Sequence, residues 1–325
     1  MVNVLMLSKW HVHAEGYGKT VMAQPDAKVS CIWDEDAERG KKWAESLGVP
    51  YEHDLAKALA RNDVDAVVVG TPTTDHCRIM TAAANAGKHI FTEKAMATTV
   101  ADCKSISDAV KKNNIKFCIS LPNLTTSLVQ YCKQAMDEGL LGKIHFMRYR
   151  NAHAGSLMGW LPDYWYDIAK SGGGAMMDLG CHPMYTASYL LGKPKRIVSM
   201  FNSSYAPPDN DDNSVSVVEF ANKAIAVLET SFVSPYNGNC FELLGTEGAV
   251  VQFNNEIRVH AKKYGDGWFI PAKLPDPMPV AIRLWLDGII KGSPIPFDTE
   301  RGIALTELLE NAYISDKEQR IITIS

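Results

Sequence analysis

Short, near-continuous apolar runs alternate with helical periodicity through the first third of the chain. Runs at 4–7, 29–33, 66–69, 89–91 and 116–120 are separated by amphipathic stretches near 36–47, 54–60, 75–86 and 99–113. Strands that are apolar at successive positions are buried on both faces. The alternation therefore predicts a parallel sheet covered by helices, the doubly wound α/β architecture of dinucleotide-binding folds. After about residue 122 the pattern changes. A helical stretch near 124–138 ends at Gly139, a strand pattern covers 143–151, and a loop rich in Gly, Trp and Tyr covers 155–177. Strand patterns at 196–205, 215–220, 224–232, 240–245 and 249–253 follow, joined by turn residues such as Pro207-Pro208-Asp209-Asn210 and Asn237-Gly238. Consecutive strands with short turns predict an open, mostly antiparallel sheet. Helices near 276–291 and 299–315 close the chain. The expected organisation is a Rossmann-like domain over 1–121 and a second α/β domain over 122–325.

Composition narrows the function classes. The chain has 325 residues and a net charge of −4, with no basic run that would track a nucleic acid. No apolar run approaches bilayer length, and the opening Met1-Val2-Asn3-Val4 lacks the charged start of a secretory signal. Seven cysteines, odd in number and never spaced C-x-x-C, point to reduced thiols and a cytoplasmic protein.

Candidate chemistry concentrates in four places. Gly172-Gly173-Gly174 leads into Asp178 and His182, an acid and an imidazole at i and i+4 on one helix face. There Asp178 would orient His182 as a general base; a helix N-terminus with a chance histidine is the plain alternative. At the first strand-to-helix turn the G-x-G-x-x-G places of a dinucleotide fold hold Ser8, Trp10 and His13, with His11 between. A tryptophan at the second place would intrude on a pyrophosphate. Asp34, ending the second strand, is placed to accept a ribose 2′-hydroxyl and so to favour NAD over NADP, although Arg39 lies close. Its alternative is a helix cap beside Glu35 and Asp36. The turn Gly70-Thr71-Pro72-Thr73-Thr74-Asp75-His76 sits where ligands meet open sheets. His11 and His13 lack a clear third partner, so no metal is expected. Trp165, in an aromatic stretch, suits either a sugar ring or the core.

Together these blocks resemble the glucose–fructose oxidoreductase / inositol dehydrogenase (Gfo/Idh/MocA) family. The resemblance rests on Thr71-Pro72 with His76, on Ala86-Gly87-Lys88-His89-Ile90-Phe91-Thr92-Glu93-Lys94, and on Gly172-Gly173-Gly174 with Asp178, Gly180 and His182. It implies NAD-dependent hydride transfer, with NADP less favoured, on a sugar, glycoside or cyclitol. It also implies a second domain that binds substrate and assembles homodimers or homotetramers. Lys94, Asp178 and His182 would be catalytic and would meet substrate together with Trp165. Cofactor would lie against Ser8, Trp10, His11, His13, Asp34, Thr71, Pro72, Thr73, His76, Glu93, Lys94 and Asn123. Three further departures stand out: Ala95 replaces the proline after Glu93-Lys94, Tyr185 replaces an acid after His182, and no arginine follows Leu121-Pro122. Two other readings use the same residues: redox-neutral glycoside cleavage with retained NAD, and a non-catalytic sugar or dinucleotide sensor.

Overall fold

The computed structural model describes residues 1–207, 209–236 and 238–324; the turn expectations at Pro208 and Asn237 lie outside the described residues. Contacts divide the chain into two compact units, Met1–Ser120 with Pro279–Thr306 and Leu121–Met278 with Glu307–Ser325. The single cut expected near 121 does not anticipate that residues 279–306 return to the first unit.

The first unit runs β1 (Val2–Leu7), α1 (Ala14–Met22), β2 (Ala27–Trp33), α2 (Ala37–Leu47), α3 (Leu55–Ala60), β3 (Ala66–Val69), α4 (His76–Asn85), β4 (His89–Thr92), α5 (Val100–Lys112) and β5 (Phe117–Ile119). Its strands form one sheet in the order β2-β1-β3-β4-β5, and every pairing is parallel. All four residues of β3 are buried, as a sheet covered on both faces requires. Strand order reverses at β1, so the loops after β1 and β3 flank the topological switch point where open α/β sheets take ligands.

The second unit contains α6 (Ser127–Asp137), β6 (Ile144–Ala152), α7 (Ile168–Ser171), a π-helical turn at Met176–Gly180 and α8 (Cys181–Leu191). β7 (Pro194–Asn202), β8 (Asn213–Phe220), β9 (Ile225–Ser231), β10 (Asn239–Gly245), β11 (Gly248–Phe253), β12 (Glu256–Ala261) and β13 (Trp268–Phe269) follow. The chain then gives α9 (Ala281–Lys291) to the first unit, crosses the division within α10 (Thr299–Glu318), and ends at β14 (Ile322–Thr323). The second sheet has the order β13-β12-β11-β10-β6-β9-β8-β7-β14. Its pairings are antiparallel except β6 with β9, which run parallel.

Three interactions explain why residues 279–306 belong to the first unit. Trp285 is fully buried, its ring 5.7 Å from that of Phe91 on β4. Arg283 grips both oxygens of Asp26, at 2.8 and 3.1 Å, and the Ile119 N–H of β5 donates to Phe297 O at 2.9 Å. The aromatic burial is the dominant contribution, since a partly exposed ion pair is worth at most about 1 kcal/mol.

Gly70 shows how tightly the switch-point loops approach. A Cβ there would stand 2.9 Å from Ser8 O and 3.1 Å from Ala14 Cβ. Gly70→Ala should therefore destabilise the protein by about 1–3 kcal/mol, read as a lowered midpoint in urea unfolding. An unchanged midpoint would show that the loops can part without cost.

Candidate active site

The loop after β1 keeps a glycine-like backbone without the glycines. Ser8 takes φ +73, a conformation that normally favours glycine. Its hydroxyl offsets the cost by accepting the Trp10 N–H at 3.0 Å and lying 3.3 Å from the Arg39 guanidinium. Trp10 is 3 % exposed: the ring is packed away and does not stand out from the loop. His11 N–H donates to Gly70 O at 3.0 Å, tying this loop to the one after β3.

Asp34 is fully buried and occupied. Its carboxylate accepts the Lys9 N–H and the Asp36 N–H, each at 2.8 Å, and Arg39 Nε at 3.0 Å. The helix cap is Asp36, which accepts from Glu38 and Arg39 at the start of α2. Asp34 thus meets Arg39 where the sequence reading put a ribose hydroxyl. Burial also pushes the Glu35 carboxyl up, against the opposing pull of Ser8 and Arg39.

After β3, Thr71 and Thr73 are buried, and Pro72 leads into a 3₁₀ turn at Thr73–Asp75. His76 is fully buried, with Nδ1 2.9 Å from Ala95 O and Nε2 3.2 Å from Thr71 O. Burial lowers its pKa below the usual imidazole value. The ring braces the segment after Lys94 against the turn after β3, so its described contacts are to backbone. The Lys94–Ala95 peptide is cis although Ala95 replaces proline.

Glu93, at the end of β4, is the centre of the first unit's chemistry. It is 1 % exposed, yet it gathers His13 Nδ1 at 2.8 Å, the Tyr17 hydroxyl, the Lys94 N–H at 2.9 Å and His11 Nε2 at 3.8 Å. Ser120 Oγ stands 2.8 Å behind the Tyr17 hydroxyl. Burial pushes the Glu93 carboxyl up, but the charges of His11, His13 and Lys94 outweigh it and hold the pKa well below the ordinary range. Nothing in the sequence pattern singled out Tyr17 or Ser120.

In the second unit the glycine-rich segment is shaped by Asp211, which sequence reasoning missed. The buried Asp211 carboxylate accepts the Gly174 N–H at 3.0 Å, the Met176 N–H at 2.7 Å, the Ser214 hydroxyl at 2.7 Å and the Tyr313 hydroxyl at 2.9 Å. A side chain at Gly174 would overlap the Asp211 backbone carbonyl. The π-helical turn carries Asp178, and α8 carries His182 on its first turn. The wider π turn replaces the α-helical i, i+4 spacing from which the Asp178–His182 pairing was inferred. His182 Nδ1 lies 2.6 Å from the Tyr185 hydroxyl. That hydroxyl also receives the Asn123 N–H at 3.1 Å, and Asn123 Nδ2 donates to the Tyr149 hydroxyl at 2.6 Å. The Tyr185 hydroxyl thus links the Asn123 backbone to His182 Nδ1 and holds the ring in place. Trp165 is 4 % exposed, and its carbonyl accepts from Asn210 Nδ2 at 3.2 Å, which favours the core reading of that residue.

The first unit fits a dinucleotide on its own features. Thr71 Oγ1 is buried with no hydrogen-bond partner among the described residues. The His13 side chain does not cap α1, and the His13 and Ala14 N–H groups are taken by His11, so an anion there would meet the N–H groups that follow them.

Comparison with known proteins agrees with this geometry. An NAD-binding Rossmann model of an oxidoreductase family matches residues 12–120, and the GFO/IDH/MocA C-terminal domain matches residues 129–251. The scyllo-inositol 2-dehydrogenase (NAD(+)) of Bacillus subtilis is 27 % identical over 71 % of this chain and 67 % of its own length. The levoglucosan dehydrogenase of Pseudarthrobacter phenanthrenivorans is 29 % identical over 60 % of this chain and 57 % of its own length. A levoglucosan dehydrogenase solved with NADH shares the fold at TM-score 0.86 and 21 % identity, covering 100 % of this chain and 99 % of its own.

Two outcomes follow from the buried carboxylates. Asp211→Ala leaves two backbone donors and two hydroxyls without their acceptor, and should cost about 3 kcal/mol or more, seen as a large fall in melting temperature. Glu93 has a depressed folded pKa, so its stabilisation is present at neutral pH and lost as pH falls below about 4. The stability gap between wild type and Glu93→Gln should shrink as pH falls below about 4. A gap unchanged at low pH would refute the assignment.

Proposed function

The chain belongs to the Gfo/Idh/MocA oxidoreductase family, and we propose that it transfers a hydride between NAD and a secondary alcohol or ketone of a sugar, glycoside or cyclitol. The nicotinamide, when bound, supplies the hydride acceptor or donor. The loop Ser8–His13, the N-terminus of α1 and the turn Thr71–Thr73 would hold the cofactor, with the Asp34–Arg39 pair beside the end of β2.

The observation that carries this reading is the imidazole of His182, buried at 8 % exposure with Nδ1 fixed by Tyr185. With Nδ1 engaged by Tyr185, Nε2 would serve as the base for a substrate hydroxyl. Lys94 would hydrogen-bond the same oxygen and favour its ionisation, which lowers the barrier to loss of hydride from the carbinol carbon. Asp178, on the π-helical turn, would act beside His182. Trp165 enters this reading only as support for the wall of the substrate site.

Two further assignments belong to the same proposal. The chain is cytoplasmic: all seven cysteines are free and six are buried, and no helix among the described residues is long and apolar enough to cross a membrane. It assembles as a homodimer or homotetramer through the open sheet. On one face of β7, β8 and β9, Val198, Met200, Val215, Val217 and Ile225 are exposed, Met200 by 78 %. A contiguous apolar face of this kind marks an association surface.

Screening cyclitols, anhydrosugars and glycosides with NAD should identify an alcohol whose oxidation yields NADH. With that substrate, Lys94→Ala and His182→Ala should each lower kcat/KM by about 10²–10⁴, and Tyr185→Phe by about tenfold. Wild-type rates in both alanine variants would overturn the catalytic assignment, and turnover without net NADH would assign the redox-neutral reaction instead.

A further inference from the structure

We propose that His11, His13 and Glu93 form a binding site for one borderline divalent transition-metal ion of the zinc, cobalt or iron(II) type. A histidine pair without a third ligand carries no metal, and the sequence offered none. The fold supplies it: β4 delivers the Glu93 carboxylate, eighty positions along the chain from His13, to the loop after β1. One ligand atom from each of the three residues lies within 4.8 Å of the others.

The spacing suits a metal. Ligand atoms around a tetrahedral ion stand roughly 3.3 Å apart. His13 Nδ1 stands 2.8 Å from Glu93 Oε1 and His11 Nε2 3.8 Å from Oε2, so side-chain rotations are needed to close the set around one ion. Two imidazoles and one carboxylate are the nitrogen and oxygen donors that borderline divalent ions prefer, with remaining positions left for water or a further ligand. His13 is half-exposed and gives the ion a route in, whereas Glu93 and His11 are buried at the base.

Charge favours the same occupant. The rings of His11 and His13 have centroids 4.7 Å apart, so two imidazolium ions there would repel each other beside a single carboxylate. A metal ion needs both rings neutral and supplies the compensating charge itself. The outer contacts of the carboxylate are already in place: Tyr17 O–H and Lys94 N–H hold its oxygens, and Ser120 supports Tyr17. Such contacts orient a metal-ligating carboxylate. The charge of Lys94 also acts on Glu93 and opposes a bound cation.

Proton balance is explicit. His11 Nδ1 accepts the His13 N–H at 3.1 Å, so ligation through Nε2 moves the ring proton to Nδ1 and gives up that contact. His13 ligates through Nδ1, and its proton is retained on Nε2. Any histidine charged beforehand releases its proton on loading.

The test needs no substrate or nucleotide and is therefore independent of the hydride-transfer reading. Full-length protein, stripped with chelator, is titrated with Co²⁺ and followed by visible absorption. One equivalent should bind, Zn²⁺ should displace it, and His13→Ala should weaken binding by about a hundredfold. Glu93→Gln provides a second removal of a ligand, and His13→Ala remains decisive should the Gln variant fail to fold. A Co²⁺ band that never appears up to millimolar metal, or one that persists unchanged in His13→Ala, would overturn the site and leave a plain imidazole–carboxylate cluster.

Discussion

A buried carboxylate must be surrounded by donors, and the structure of the first unit is arranged around satisfying Glu93. Removing such a group from water costs several kcal/mol unless hydrogen bonds and opposite charge replace the lost solvent. Glu93 meets this with two imidazoles, a tyrosine hydroxyl and the next backbone N–H. Those partners come from the loop after β1, from α1 and from the end of β4. The carboxylate therefore locks the first strand–helix connection onto the far strand of the switch point. A loop without the glycine fingerprint is held in place by charge, where the usual motif relies on close backbone packing.

The same constraint reappears in the second unit with different consequences. Asp211 collects two backbone N–H groups and two hydroxyls, and so fixes the segment that begins the π-helical turn. Here the carboxyl pKa is pushed up by burial, because the neutral donors only partly offset desolvation. Glu93 lies on the other side of that balance because cations face it. One group of donors stabilises position alone; the other also stabilises charge.

The departures from the family pattern acquire physical meaning once neighbours are known. Ser8 replaces a glycine by using its own hydroxyl to cap the strained turn. Tyr185 takes the place of an acid after His182 and orients the imidazole through its contact with Nδ1. Asp34 keeps the expected residue at the end of β2, yet its carboxylate is claimed by Arg39. In each case side-chain hydrogen-bonding capacity, more than residue identity, decides the role.

Periodicity alone determined the parallel sheet, most strand and helix positions, and the mostly antiparallel second sheet, because burial on one or two faces imposes its period directly on the chain. Motif spacing picked out Glu93, Lys94, Asp178 and His182 for the same local reason. It did not foresee β12, β13 and β14, the short strands toward the two ends of the second sheet. Only the tertiary structure could return α9 to the first unit, bring Tyr17 and Ser120 to Glu93, place Asp211 under Gly174, or replace an α-helical turn by a π turn before His182. These contacts join residues tens to hundreds of positions apart. Their energies depend on desolvation and on donors meeting in space, quantities that no local pattern of residues contains.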